Sequence, residues 1–206
     1  MALFGVEDLQ PARSNQPKRK GEAIDTPSPT TRLKLVRARV RVGQAIGRLV
    51  AGRTIHYATA ADWSTHDLAL YLIEQVGPAD VLVATWSISE PAVRHAVCAL
   101  LDGRFTRLRM LIDWRTRTRC PEALQLATAN AAQLRTASVH AKVTILRNAQ
   151  WAVTIIGSAN WTNNPRIEAG VVSTDPSVAD FHTRWLEQEL AGAAPFEAPA
   201  DTPQPP

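Results

Sequence analysis

Cysteine is scarce, with two in 206 residues and no Cys-x-x-Cys pair, so neither a disulfide framework nor a thiolate zinc site is suggested. Cys98, with Val97 and Leu100 nearby, reads as a reduced, buried thiol. No run of about 18 apolar residues exists, and no segment is expected to cross a membrane. The opening Met-Ala-Leu-Phe-Gly-Val-Glu-Asp lacks the basic region and long apolar run of a secretion signal. A cytoplasmic protein is therefore expected. No internal repeat is visible either.

Acids are absent from Arg32 to Arg53, a span with seven basic residues. Residues 1–53 hold 11 Lys and Arg against four acids, net +7, while residues 54–206 hold 12 against 15, net −3; together they give the +4 of the chain. A block of this kind suits a polyanion such as nucleic acid or an anionic membrane surface, and as a solvated tail it would only aid solubility.

What is present is a core. Hydrophobic residues make up 45% of the chain, enough for one folded domain. Prolines at 11, 17, 27 and 29, and five more from Pro195 to Pro206, bracket it. Residues 1–31 are expected to form a flexible basic arm, residues 32–192 the domain, and residues 193–206 a disordered proline-rich tail.

Within the domain, strand and helix patterns alternate. Leu33 to Val42 sets Arg37, Arg39 and Arg41 against Ala38, Val40 and Val42, the period of a half-exposed strand. Thr54 to Ala58 is a second strand. Ser64 and Asp67 form a capping box ahead of Leu68, Tyr71, Leu72 and Val76, and Gly77-Pro78 ends that helix. Val81 to Trp86 reads as a buried strand. Ser89 caps a helix that Gly103 stops. Leu108 to Ile112 is a strand, and Pro121 opens a further helix. Strands at Val139–Leu146 and Trp151–Ile156 are joined by the turn Arg147-Asn148-Ala149-Gln150. A strand at Ala169–Val172 precedes a last helix with Val178, Phe181, Trp185 and Leu186 on its buried side. This order implies an α/β fold, a mixed β-sheet flanked by helices on both faces.

The chemistry concentrates in Val139-His140-Ala141-Lys142-Val143 and Ile156-Gly157-Ser158-Ala159-Asn160-Trp161. On a strand His140 and Lys142 face the same way. An imidazole beside an ammonium is poor core material but suits attack on a phosphodiester: one side chain serves as nucleophile or acid, the other neutralises phosphate oxygens. The Gly-Ser-Ala-Asn turn adds a hydroxyl and an amide as donors. Lysine usage sharpens the point. Four lysines stand against 19 arginines, and Lys142 is the only one after residue 34. A compact point charge is wanted there. For Trp161 two readings are open: stacking on a base, or packing against the last helix. His56, His66, His95 and His182 receive no role, and Trp63 and Trp86 read as core or pocket walls.

His140-Ala141-Lys142 and Gly157-Ser158-Ala159-Asn160 resemble the histidine-lysine and glycine-serine-x-asparagine elements of the phospholipase D superfamily, of the single-motif, Nuc-like endonuclease type. The resemblance covers roughly residues 50–190. It implies a phospholipase D-like half-domain and a metal-independent phosphodiesterase with no cofactor, most simply a nuclease on DNA or RNA. It also implies that Glu168, eight residues beyond Asn160, hydrogen-bonds the histidine. Two positions depart from the pattern. Arg147 stands where the family has an aspartate, and the stretch from Lys142 to Gly157 is three residues longer.

Chemistry of this type uses two histidines, and the chain has one His-x-Lys. The resemblance therefore implies a homodimer with the site on its axis, where His140, Lys142, Ser158, Asn160 and Glu168 come from both copies. Arg37, Arg39 and Arg41 would track the phosphate backbone. A phospholipid head-group enzyme, and an inactive nucleic-acid-binding dimer of the same fold, are the alternatives; no membrane insertion is expected.

Overall fold

The computed structural model describes residues 22–27, 32–34, 42–60, 63–163 and 166–192. Nine strands form one sheet: β1 (Glu22–Pro27), β2 (Arg32–Lys34), β3 (Arg53–Ala60), β4 (Ala79–Thr85), β5 (Phe105–Asp113), β6 (Gln133–Ala137), β7 (Val143–Arg147), β8 (Ala152–Gly157) and β9 (Ile167–Ser173). Six helices accompany them: α1 (Val42–Ile46), α2 (Thr65–Val76), α3 (Glu90–Leu101), α4 (Thr116–Arg119), α5 (Pro121–Asn130) and α6 (Pro176–Gly192). The strand order is β2-β1-β3-β9-β8-β7-β4-β5-β6. β4, β5 and β6 run parallel, linked by crossovers through α3 and α5, and the remaining neighbours are antiparallel.

β4 shows why helices cover both faces. Its apolar run has no polar side to offer water. Val81 and Val83 enter the core shared with α1, α2, α3 and α5, while Leu82 and Ala84 enter the core under α6. The fold is α/β with a mixed sheet between two helical layers, as the alternating pattern implies.

Several local signals act as their chemistry predicts. Ser64 and Asp67 close the capping box of α2: the Asp67 carboxylate accepts from Ser64 N at 3.0 Å, and Ser64 Oγ accepts from Asp67 N at 3.4 Å. In the turn after β7, Asn148 Oδ1 accepts from Gln150 N (2.9 Å) and Trp151 N (2.8 Å). Its amide nitrogen donates to Val76 O at 2.8 Å, fastening the turn to the end of α2.

Other expectations need correction. Of the strand expected over Leu33–Val42, Leu33 and Lys34 lie in β2 and Val42 opens α1, while residues 35–41, with Arg37, Arg39 and Arg41, lie outside the described residues. Glu22–Pro27, placed in the arm by its sequence, pairs with β3. Ser89 occupies the N-cap of α3 without a side-chain capping bond. Cys98 is exposed, because α3 buries Ala92, Val93, Ala96 and Ala99, a stripe that excludes it. Phe181 is 58% exposed, because α6 buries the stripe of Ala179, Leu186 and Leu190. β6 has no counterpart in the sequence pattern: Leu134 and Thr136 are its two buried positions, too short an alternation to stand out.

Candidate active site

The carboxyl ends of parallel β4, β5 and β6 lie at one edge of the sheet, where the chain also enters β7 and leaves β8. Loops at such an edge are where α/β sheets build their sites. His140 and Lys142 belong to the extended segment that leads into β7, not to the strand itself, which starts at Val143. Their side chains nonetheless meet. Lys142 Nζ is 3.1 Å from Nδ1 and 3.2 Å from Nε2 of His140, and it donates to the His140 carbonyl at 2.7 Å. Nearly equal distances put the ammonium between the two ring nitrogens, not along either lone pair. His140 is exposed and Lys142 half-buried. Burial lowers the Lys142 pKa from its ordinary value, and the negative charge of Glu168 works against that shift.

The Gly-Ser-Ala-Asn turn leaves the end of β8. Gly157 pairs with Gly170 of β9, and both glycines are required by close approach. A Cβ on Gly157 would stand 2.9 Å from Ala169 O; one on Gly170 would stand 2.5 Å from Ile156 O and 2.6 Å from Tyr57 Oη. Ser158 N donates to Ala169 O (2.9 Å), and Ala169 N returns a bond to Ser158 Oγ (3.1 Å). The Ser158 hydroxyl donates to the Glu168 carboxylate. Buried Tyr57 lies behind this pair; desolvation and the charge of Glu168 together raise its pKa, so its phenol stays protonated.

Two anchors hold the rest of the turn. Thr65 Oγ1, at the start of α2, donates to Ala159 O at 3.1 Å. Thr85 Oγ1, at the end of β4, lies 3.4 Å from Asn160 Oδ1 and accepts from Trp161 N at 3.3 Å.

Two expectations change here. Trp161 is 2% exposed, its indole nitrogen donates to Thr144 Oγ1 at 2.9 Å, and its backbone bridges to Ile88. It is an internal strut, neither a stacking platform nor a neighbour of the last helix, since it packs in the core shared with α2 and α3. Among the described residues Glu168 hydrogen-bonds Ser158, not His140. Arg147, at the far end of β7, pairs with Asp180 of α6. Five strand residues span about 16 Å, so this arginine is remote from Lys142.

Around His140 the structure gives Trp86, read from the sequence as a core or pocket wall, a place against the ring, and it adds Arg119 and Asp113, which the sequence leaves unmarked. Trp86, directly after β4, has its ring 5.7 Å from that of His140, and the Arg119 guanidinium sits 4.9 Å from the same indole. Asp113, the last residue of β5 and 2% exposed, accepts from Arg115 N (3.1 Å) and Val139 N (3.3 Å). It ties the turn after β5 to the segment carrying His140. A strand ending in a buried acid was the only signal that could have found it. Away from the motif, donor atoms of His66, Asp67 and His95 come within 4.8 Å of one another and could hold a cation. His66 Nδ1 and the Asp67 carboxylate, however, already serve Ser64.

Neither a family profile nor a curated protein sequence matches the chain. Solved structures do, and they define the class: the chain has the phospholipase D-like fold. It is similar to the phospholipase D family member Nuc from Salmonella typhimurium, with TM-score 0.51 and 19% identity over 63% of this chain and 91% of that one. It is likewise similar to NucT from Helicobacter pylori, with TM-score 0.54 and 13% identity over 69% of this chain and 99% of that one.

Proposed function

We propose that the chain is a metal-independent phosphodiesterase acting on nucleic acid, a nuclease that works as a homodimer. The observation that carries this reading is the Lys142 ammonium held against both ring nitrogens of an exposed His140 at a sheet edge. One His140 attacks phosphorus and forms a phosphohistidine, while the partner's His140 gives its proton to the leaving oxygen as the P–O bond breaks. That second imidazole then takes a proton from water, which attacks phosphorus and breaks the P–N bond to release a phosphomonoester. Lys142 and Asn160 from both copies stabilise the charge that gathers on the phosphoryl oxygens. Ser158 joins them by turning its proton from Glu168 to phosphate.

Nucleic acid is favoured by the acid-free span from Arg32 to Arg53. No described helix is long and apolar enough to cross a membrane. One position supports a second reading: Arg147, in place of the family's aspartate, fits an inactive relative that binds nucleic acid without cleaving it. Cleavage of a plasmid and of a single-stranded oligonucleotide in EDTA separates the two. The enzyme reading expects cleavage in EDTA that His140→Ala abolishes, since the variant removes nucleophile and acid together. Full activity in that variant, or activity wholly dependent on added magnesium, defeats it.

A further inference from the structure

Directly after β5 the chain reads Trp114-Arg115-Thr116-Arg117-Thr118-Arg119, three arginines and an indole with no acid between them. We propose that this segment is the landing track for an unpaired nucleic-acid strand, delivering a phosphodiester to His140. The inference rests on the reading of the site as one that handles nucleic acid, and goes beyond it by naming the surface and the strand state.

Position is the first argument. The segment is braced to the end of β6 and to the stretch that carries His140: Trp114 N donates to Ala137 O (3.0 Å), and the buried Asp113 carboxylate accepts from both Arg115 N and Val139 N. At its other end Arg119 lies on the Trp86 indole, which contacts the His140 ring. The track thus runs from Trp114 to the catalytic imidazole without leaving the sheet edge.

Exposure is the second. Trp114 is 52% exposed, whereas Trp161 on the same edge is sealed in the core. Arg115, 5.5 Å from the Trp114 ring, is exposed, as are Arg117 and Arg119. Guanidinium forks match phosphate oxygens, and an open indole face stacks on a base. In a duplex the bases are stacked on one another, so an isolated indole gains a base only from a strand that is unpaired. An anionic membrane offers the same phosphate chemistry to the arginines. It is disfavoured because α4 is four residues long and its one buried side chain is Thr116, leaving no apolar face to insert.

The test uses the full chain and the surface variants Trp114→Ala, Trp114→Phe and Arg115→Gln. Affinity for a labelled 20-nucleotide oligothymidylate and for a duplex of the same length is read by fluorescence anisotropy, with turnover of bis(p-nitrophenyl) phosphate as the control. Trp114→Ala should weaken single-strand binding by about five- to a hundred-fold. Duplex affinity and small-diester turnover should stay within two-fold, and Trp114→Phe should restore most of the lost affinity. Arg115→Gln should weaken both nucleic acids and flatten their salt dependence by about one unit. Unchanged single-strand affinity in Trp114→Ala overturns the track while leaving the nuclease reading intact. So does an equal loss on duplex and single strand, or a loss confined to vesicles containing phosphatidylserine. A wild-type protein that binds neither oligonucleotide defeats both.

Discussion

The hydroxyl of Ser158 donates to the carboxylate of Glu168, across the junction where β8 and β9 are pinned by a pair of glycines. Glu168 is also the charge that opposes the desolvation of Lys142 and adds to the rise in the Tyr57 pKa. One carboxylate therefore accepts from a hydroxyl, opposes what burial does to an ammonium and adds to what burial does to a phenol around the same turn.

Glu168→Gln should reveal that coupling in a pH profile. Lys142 is already lowered by burial, and loss of the opposing negative charge leaves burial to act alone. The ammonium then deprotonates at a lower pH. If catalysis needs Lys142 charged, the alkaline limb of the pH–rate profile on a small phosphodiester should move to lower pH. A limb that stays in place, with only the maximal rate reduced, would detach Glu168 from Lys142.

A site shared between two copies has a quantitative signature. After subunit exchange between wild type and His140→Ala, each mixed dimer holds one competent imidazole and should be inactive. Activity should fall as the square of the wild-type fraction. A linear fall would assign a complete site to each chain.

Gly170→Ala should damage the fold, not the chemistry. Its Cβ would meet Ile156 O at 2.5 Å and Tyr57 Oη at 2.6 Å, and two of the elements that must move are central strands. A cost of about 1–3 kcal/mol is expected from such overpacking. Gly157→Ala, with its nearest contact at 2.9 Å, should cost less. Urea midpoints of the two variants, with equal m-values, check the order.

The basic block is tested through salt. Replacing Arg37, Arg39 and Arg41 together by glutamine should weaken nucleic-acid binding and reduce the log–log salt slope on duplex by roughly two to three units, at about 0.9 per phosphate contact. Turnover of the small diester should barely change. Asp80 and Glu187, acids that could otherwise hold such arginines, each pair with Arg109, at 3.1 Å and 2.8 Å. A drop in melting temperature with unchanged binding would reassign the trio to the fold.

Much of this was legible because it is local. The capping box at Ser64 and Asp67, the Asn148 turn and the apolar run of β4 each depend on residues within a few positions of one another, and each stands in the structure as written in the chain. The meeting of His140 and Lys142 is of the same kind. Alternation in extended chain puts them on one side whether or not the segment is counted as strand. β7 starts later than Val139 because Val139 to Lys142 has strand-like alternation but enters no ladder with a neighbouring strand until Val143 pairs with Ala84 and Ile156; before that, Val139 N is held by the Asp113 side chain.

The sequence by itself determined the alternation of elements, the side chains available for phosphodiester chemistry and the count of one His-x-Lys per chain. Each is a property of composition or short spacing. Tertiary structure alone decided which tryptophan is sealed and which is open, and that Glu168 serves Ser158. It also decided that Arg147 pairs with α6, that Trp86 stands beside His140 with Arg119 on its indole, and that Asp113 holds the backbone of Val139. Those contacts join residues ten or more positions apart, so only the folded chain can make them: the ones around His140 need parallel β4, β5 and β6 to end at one edge, Ser158 meets Glu168 through the pairing of β8 with β9, and Arg147 meets Asp180 where α6 packs on β7.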